Sequence, residues 1–443
     1  MAADAAEEHV ERRADEHFER LLATYGSPLY VHDLGRVRQA YGDLAAALPE
    51  GARIYYSLKA NPHPGLVAEL VRAGARAEIT SRGELTAALE AGCVAGELLY
   101  SGPGKTPGEL DEAVAQGVRA FSVESFGDLE RIGAAGVAHR VTADCVLRIN
   151  AAGAPGDAGL RMTGSASQFG FDLDVLLSAP ARLRVPGTRV AGLHFFPLTN
   201  ARDEAGLVAE IVQSIRTAAE LRDELGLDLR LVDLGGGFAA PYAVPGERPR
   251  YPGLRAAVTE ALDASLPGWR TGAPVVAFES GRHLVGDSGT LLTTVTDVKD
   301  SKGTRFAVLD AGVNHLGGLS GLGRLLPMKA RPLGGGEGEP QRVTLAGPLC
   351  TPADLLGRAV EIPGLRPGTV LAFPNVGAYG LTASLLGFLG HRAPAEVLVD
   401  GGEVVSATRL ALHRHQVPAA GEHSAVTAVT EATAGTTGTA ARS

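Results

Sequence analysis

Several stretches of the chain set a reactive or charged side chain beside a break in the backbone. In Tyr55-Tyr56-Ser57-Leu58-Lys59-Ala60-Asn61-Pro62 a short β-prone run delivers one lysine and then stops, because the residue before a proline is pushed out of helical geometry. Lys59 is therefore expected at the carboxyl end of a strand, where barrels and open α/β sheets place their chemistry, although a surface charge is the plainer alternative. In Val232-Asp233-Leu234-Gly235-Gly236-Gly237-Phe238 a strand runs into three glycines. Without Cβ atoms, successive N–H groups can converge on an anion, which makes this a candidate phosphate cradle or a tight strand-to-helix turn. No Gly-Lys-Ser/Thr follows, so it is not a P-loop. Phe278-Glu279-Ser280-Gly281-Arg282 sets a carboxylate at a strand end beside an arginine. That pair is either a surface ion pair or, if a pyridine-containing cofactor is bound, the acid that keeps its ring nitrogen protonated. Gly347-Pro348-Leu349-Cys350-Thr351-Pro352-Ala353-Asp354 offers a thiol able to transfer a proton, and Val376-Gly377-Ala378-Tyr379-Gly380 presents a phenol between glycines. Cys93 and Cys145 lie in helix-end and strand contexts typical of structural thiols.

These side chains need elements to hold them. From about Tyr30 to residue 285, short apolar runs alternate with amphipathic segments. Ala77-Glu78-Ile79-Thr80, Ala120-Phe121-Ser122-Val123 and Leu229-Arg230-Leu231-Val232-Asp233-Leu234 are typical of the runs. Glycines such as Gly74 and Gly92 close the helical segments between them. Counting the run before Lys59, about eight strands fit, which suits a closed (β/α)8 TIM barrel better than an open sheet. Beyond Leu284, β-rich runs such as Arg305-Phe306-Ala307-Val308-Leu309-Asp310 follow one another between Gly/Pro turns without helices. That predicts a second, mostly antiparallel domain of β-sandwich or barrel-like form. The expected boundaries are an N-terminal segment 1–27 able to join the β domain, a barrel 28–285, a β domain 286–416 and a disordered Ala/Thr/Gly-rich tail 417–443.

Composition narrows the functional classes. The 443 residues are 45% apolar with no run long enough to cross a bilayer, and the formal net charge of −9 argues against a nucleic-acid binder. The chain shows no positively charged start leading into an apolar segment, and its three cysteines are scattered, so a cytoplasmic setting without disulfides is expected. Twelve histidines include no H-x-x-x-H spacing on a helix, and no metal site is expected.

The motifs around Lys59, Gly235 to Gly237, Glu279 to Arg282, Cys350 and Tyr379 occur in the order and approximate spacing of the pyridoxal-phosphate-dependent decarboxylases of alanine-racemase fold, the superfamily of diaminopimelate and ornithine decarboxylases. The resemblance covers roughly residues 25 to 415. It implies that Lys59 bonds the aldehyde carbon of pyridoxal 5'-phosphate, that Gly235, Gly236 and Gly237 with Arg282 and Tyr379 hold the phosphate, that Gly281 is also among the cofactor-binding residues, and that Glu279 faces the ring nitrogen. It further implies that Arg148 lies near the cofactor and that Cys350 reaches the site of a second subunit in a homodimer, where it protonates the product carbon.

The chain also departs from that family. In Gly192-Leu193-His194-Phe195-Phe196-Pro197-Leu198-Thr199-Asn200 the second histidine, glycine and serine usual in diaminopimelate decarboxylases are replaced by Phe196, Leu198 and Thr199. A phenylalanine can stack on a ring but cannot hydrogen-bond, while Thr199 keeps a hydroxyl. Thr351 follows Cys350 where relatives carry a carboxylate for a distal ammonium, so a simple diamino acid is disfavoured. The residues after Asn314 lack the Arg-Pro-x-Leu-Tyr pattern that grips diaminopimelate. These departures resemble the branch that decarboxylates carrier-protein-tethered aminoacyl groups or citryl conjugates in natural-product and siderophore assembly. Asn314, Arg324 and Asp354 are candidate substrate contacts, and Arg324, Lys329 and Arg331 could meet an acyl carrier protein, unless they are simply a solvated face. The competing readings are a diaminopimelate decarboxylase, an amino-acid racemase, against which Glu279 and Cys350 both argue, and a catalytically inactive binding protein.

Overall fold

The computed structural model describes residues 16–150, 160–161, 164, 166–201, 203–317 and 329–416. The expected disordered tail and Arg324 lie outside the described residues. Eight strands, Arg53–Ser57, Arg76–Ile79, Leu99–Tyr100, Ala120–Val123, Ala143–Asn150, Thr188–His194, Leu231–Asp233 and Val275–Ser280, pair in parallel and in chain order. The ring closes where Glu279 stands opposite Tyr55, so the first half of the chain is the TIM barrel that its pattern predicts. Three of the turns from strand to helix are stabilised by caps. Ser81 and Ser125 cap helices Arg82–Glu90 and Phe126–Ala138 by accepting the N–H groups of Glu84 and Asp128, and Thr106 forms a reciprocal capping box with Glu109.

Alternation along the strands decides what enters the barrel. Tyr55, Leu99, Val146, Leu231 and Ala277 form one apolar cluster inside it. Their neighbours Tyr56, Tyr100, Leu147, Val232 and Phe278 belong to the outer core shared with the helices. Two residues further along the chain, the inner parity brings Arg148, Asp233 and Glu279 to the carboxyl ends. By the same rule Glu78, Ser122 and His194 point inward, since Ile79, Val123 and Leu193 are in the outer core. Close strand approach also depends on Gly192, where a Cβ would overlap the Leu231 carbonyl.

The second sheet is built around the strand Leu29–Asp33, which pairs antiparallel with Gly289–Ser301 and parallel with Ala395–Asp400. This differs from the expected barrel start at residue 28. Leu29 and Val31 pack with Leu292, Val397 and Val399, a surface that only the later strands supply. Further strands, Thr304–Leu309, Pro340–Ala346, Leu355–Pro363, Val370–Phe373 and Glu403–Arg409, extend the sheet in mostly antiparallel pairing.

Replacing Gly192 by alanine forces the backbones of two inner strands apart, at a cost of about 1–3 kcal/mol by overpacking. Thermal unfolding followed by circular dichroism should show a lower melting temperature for Gly192→Ala. An unchanged melting temperature would contradict this packing.

Candidate active site

Lys59, Phe196, Thr199, Gly237, Glu279, Gly281, Arg282 and Tyr379 line one cleft at the carboxyl end of the barrel, together with Ser57, Asn200, Phe238 and Ser280. Lys59 stands in the single 3-10 turn Leu58–Ala60 that follows its strand. The second sheet clasps this turn. Tyr379 donates its N–H to the Ala60 carbonyl at 2.7 Å, and Asn61 donates its Nδ2–H to the Gly377 carbonyl at 2.9 Å. Tyr379 holds the strained left-handed φ of 53° there, and its ring lies 4.8 Å from the Arg282 guanidinium.

The Lys59 side chain is 40% exposed, with Nζ 3.3 Å from Oε2 of the buried Glu78 and 5.3 Å from the Phe196 ring centre. Burial works against its ammonium form, but the Glu78 and Glu279 carboxylates outweigh it and hold the amine above the ordinary lysine range. Glu279 is 1% exposed, and its Oε1 has no hydrogen-bond partner. Burial, reinforced by Glu78 and Asp233, pushes its carboxyl well above the usual range. Asp233 accepts the Gly235 N–H at 2.9 Å through Oδ1, leaves Oδ2 unpartnered and is pushed by burial to about 7. His194 meets the Ser122 hydroxyl at 2.7 Å through Nδ1. Burial, with Arg148 and Lys59 nearby, holds its imidazole well below the usual histidine range.

Unpartnered buried acceptors cost about 1–3 kcal/mol each. The cleft therefore favours a ligand that brings a cationic or N–H-bearing group to Glu279. Phe196 offers such a ligand a flat apolar face. The glycines shape the adjoining turn, since a Cβ on Gly235 would overlap the Phe195 carbonyl and one on Gly236 the Glu279 carbonyl. Because the Gly235 N–H is taken by Asp233, an anion would rest on the rest of the turn, of which Gly237 lines the cleft. Single donor atoms of His194, Asp233 and Glu279 also lie within 4.8 Å of one another, a set able to hold a metal ion.

Arg148, Cys350, Asp354 and Asn314 are not part of this cleft lining. Arg148 is buried behind Phe196, paired with Glu124 at 2.9 Å, and its guanidinium lies 4.6 Å from the Phe169 ring and 5.9 Å from that of Phe196. Cys350 is exposed and is not part of the cleft lining. Asp354, expected to touch substrate, instead joins two loops. Its oxygens accept the N–H groups of Val313 and Leu349, both at 2.7 Å, and its carboxylate is 2% exposed. Asn314 is buried beside His315, with its Oδ1 unpartnered. Glu78, Ser122, His194, Asp233 and Ser280 join or border the site although no motif assigns them a role. The signal for most of them was a polar residue on the inner parity of an otherwise apolar strand.

Comparison with known proteins identifies the family. Residues 34–286 match the family described as pyridoxal-dependent decarboxylase, pyridoxal binding domain. The chain is 31% identical over 395 residues to the L-glutamyl-[BtrI acyl-carrier protein] decarboxylase of Niallia circulans, covering 86% of this chain and 91% of that protein. It is 29% identical over 381 residues to the 2-[(L-alanin-3-ylcarbamoyl)methyl]-2-hydroxybutanedioate decarboxylase of Staphylococcus aureus, covering 82% and 92% respectively. Diaminopimelate decarboxylase from Helicobacter pylori, solved in complex with L-lysine, superposes with a TM-score of 0.75 at 25% identity over 87% of this chain and 95% of that one.

Asp233 gives the cofactor-free protein a distinctive pH response. Its carboxyl binds a proton more tightly when folded, at about 7 against an ordinary 3.8. Its contribution to stability is therefore complete below the lower value and is lost as pH rises through the upper one. The melting temperature of Asp233→Asn should rise relative to the parent protein as pH increases across that interval. A constant difference between the two would contradict the assignment.

Proposed function

Starting from the fact that this chain belongs to the pyridoxal-dependent decarboxylases, an enzyme family that works with pyridoxal phosphate, we propose that it removes the α-carboxylate of an amino-acid-derived substrate in specialised metabolism. The substrate classes that best suit the site are a carrier-protein-tethered aminoacyl group and a citryl conjugate. The observation that carries the reading is the buried, unpartnered Glu279 Oε1 in the same cleft as the Lys59 amine.

The residues present fit the cofactor. Glu279 offers a dry acceptor to a ring N–H, Phe196 a face for the ring, and Gly236 and Gly237 with Gly281, Arg282, Tyr379 and Thr199 a setting for the phosphate. When bound, the cofactor supplies an electron sink for the pair released as CO2 departs. The protein's own groups do the rest. Lys59 must lose a proton from Nζ before it can act as a nucleophile toward a carbonyl carbon, and Glu78 Oε2 at 3.3 Å is placed to accept it. Glu279 keeps the proton at the ring nitrogen, and apolar Phe196 excludes water from that face. Cys350 provides the proton that replaces CO2. Its exposure outside the cleft lining supports a homodimer in which each chain supplies this thiol to its partner. The same reading puts the protein in the cytoplasm, where an exposed thiol stays reduced.

The substrate assignment rests on what the chain lacks. Thr351 brings no carboxylate to pair with a distal ammonium, and a buried ammonium left unpaired costs roughly several kcal/mol. Relatives that act on an acyl-carrier-bound glutamyl group and on a hydroxybutanedioate conjugate fit that omission.

Lys59→Ala should abolish the visible absorbance that pyridoxal phosphate gives the parent protein, and an unchanged spectrum would refute the role of Lys59. Glu279→Ala should lose most turnover while still binding the cofactor. Released CO2 should be measured with free amino acids, diaminopimelate, carrier-bound aminoacyl thioesters and citryl conjugates. Preferential release from diaminopimelate would overturn the substrate assignment.

A further inference from the structure

Three side chains with polar atoms at the barrel end form a connected set that the proposed chemistry leaves partly unused. Ser122 and His194 are 0% and 1% exposed, and the Ser122 hydroxyl meets His194 Nδ1 at 2.7 Å. On the other edge of the same imidazole, Nε2 lies 3.4 Å from Glu279 Oε1. Neither of these two atoms has a hydrogen-bond partner. The three residues come from strands Ala120–Val123, Thr188–His194 and Val275–Ser280, and only closure of the barrel brings them together. His194 also stands in register with Asp233 on one side and Arg148 on the other.

A neutral imidazole carries one N–H, and the partner of one nitrogen decides which nitrogen has it. A Ser122 hydroxyl donating to Nδ1 leaves the hydrogen on Nε2, aimed at Glu279. We infer that His194, oriented by Ser122, is a positioning residue that donates its Nε2–H to the Glu279 carboxylate and so keeps that acid aimed and ionised toward the cofactor's ring nitrogen. The gap of 3.4 Å closes to hydrogen-bond length with a small side-chain movement. Burial keeps His194 neutral, as the role requires, because an imidazolium there would face Arg148 and Lys59. The inference rests on Glu279 facing the ring nitrogen, as proposed above, and adds the two residues that act through it.

The test compares Ser122→Ala, His194→Leu and His194→Gln, each with Glu279 intact and in a Glu279→Gln background. The readouts are the dissociation constant for pyridoxal phosphate and the pH titration of the loaded protein's visible band, with circular dichroism to confirm folding. His194→Leu should weaken cofactor binding about ten- to hundredfold, the loss expected for one hydrogen bond to a charged group, and should move the titration. His194→Gln, which can place an amide N–H near the position of Nε2, should restore most of both. Ser122→Ala should shift both in the same direction by less. In the Glu279→Gln background His194→Leu should add nothing. Equal effects in both backgrounds would reduce His194 to a packing role and overturn the inference. So would a stoichiometric divalent ion in the purified protein that His194→Leu removes, since the imidazole would then be a metal ligand. Lys59→Ala serves as the separate control. Retained visible absorbance in that variant defeats the underlying reading, whereas lost absorbance without His194–Glu279 coupling defeats only this inference.

Discussion

A carboxylate with 1% exposure and an unpartnered oxygen, such as Glu279, is unfavourable in a folded chain unless something pairs with it. Glu279 is kept there by backbone it cannot escape. The strand Val275–Ser280 lies between Leu231–Asp233 and Arg53–Ser57, and the Glu279 N–H donates to the Gly235 carbonyl at 2.8 Å. The same ladder fixes Asp233 and, one strand further, His194. The barrel's hydrogen bonding thus forces several ionisable groups into one dry space. The chemistry of the site follows from the way those groups must share protons.

The second sheet completes this arrangement from outside. Its loop through Gly377 and Tyr379 is pinned to the Lys59 turn, while Tyr242 donates its hydroxyl to the Tyr379 carbonyl at 2.9 Å. A Cβ on Gly377 would overlap the Val285 carbonyl, which explains why the loop passes so close to the barrel only as glycine. Asp354 does similar work beside it, tying the loop that bears Cys350 to the one that bears Asn314. The most reactive-looking thiol in the sequence is therefore held by a carboxylate whose own chemistry is spent on backbone N–H groups.

Phe196 shows how one departure changes a site without dismantling it. Its ring is flanked by the Lys59 amine and the Arg148 guanidinium, so it retains a cation-facing aromatic surface while losing any hydrogen-bonding role. Arg148 is in turn fixed by Glu124, which also accepts the Gly170 N–H at 2.7 Å.

The sequence alone determined the eight βα units, the β-rich second half and the strand-end positions of Lys59, Glu279 and the glycine turn. Those features are local: alternation, helix caps, and glycine or proline at the breaks act over a few residues. It did not determine that Leu29–Asp33 leaves the barrel for the second sheet, because the apolar partners Leu292, Val397 and Val399 lie hundreds of residues away. Nor did it distinguish Asp354 as a clasp from Asp354 as a substrate contact, since its partners Val313 and Leu349 approach only through the fold. Glu78, Ser122, His194 and Asp233 were visible as polar residues in apolar strands, but only closure of the ring aims them at one point. Which polar groups end up without partners in the barrel interior, and so stand ready for a ligand, is a property of that closure.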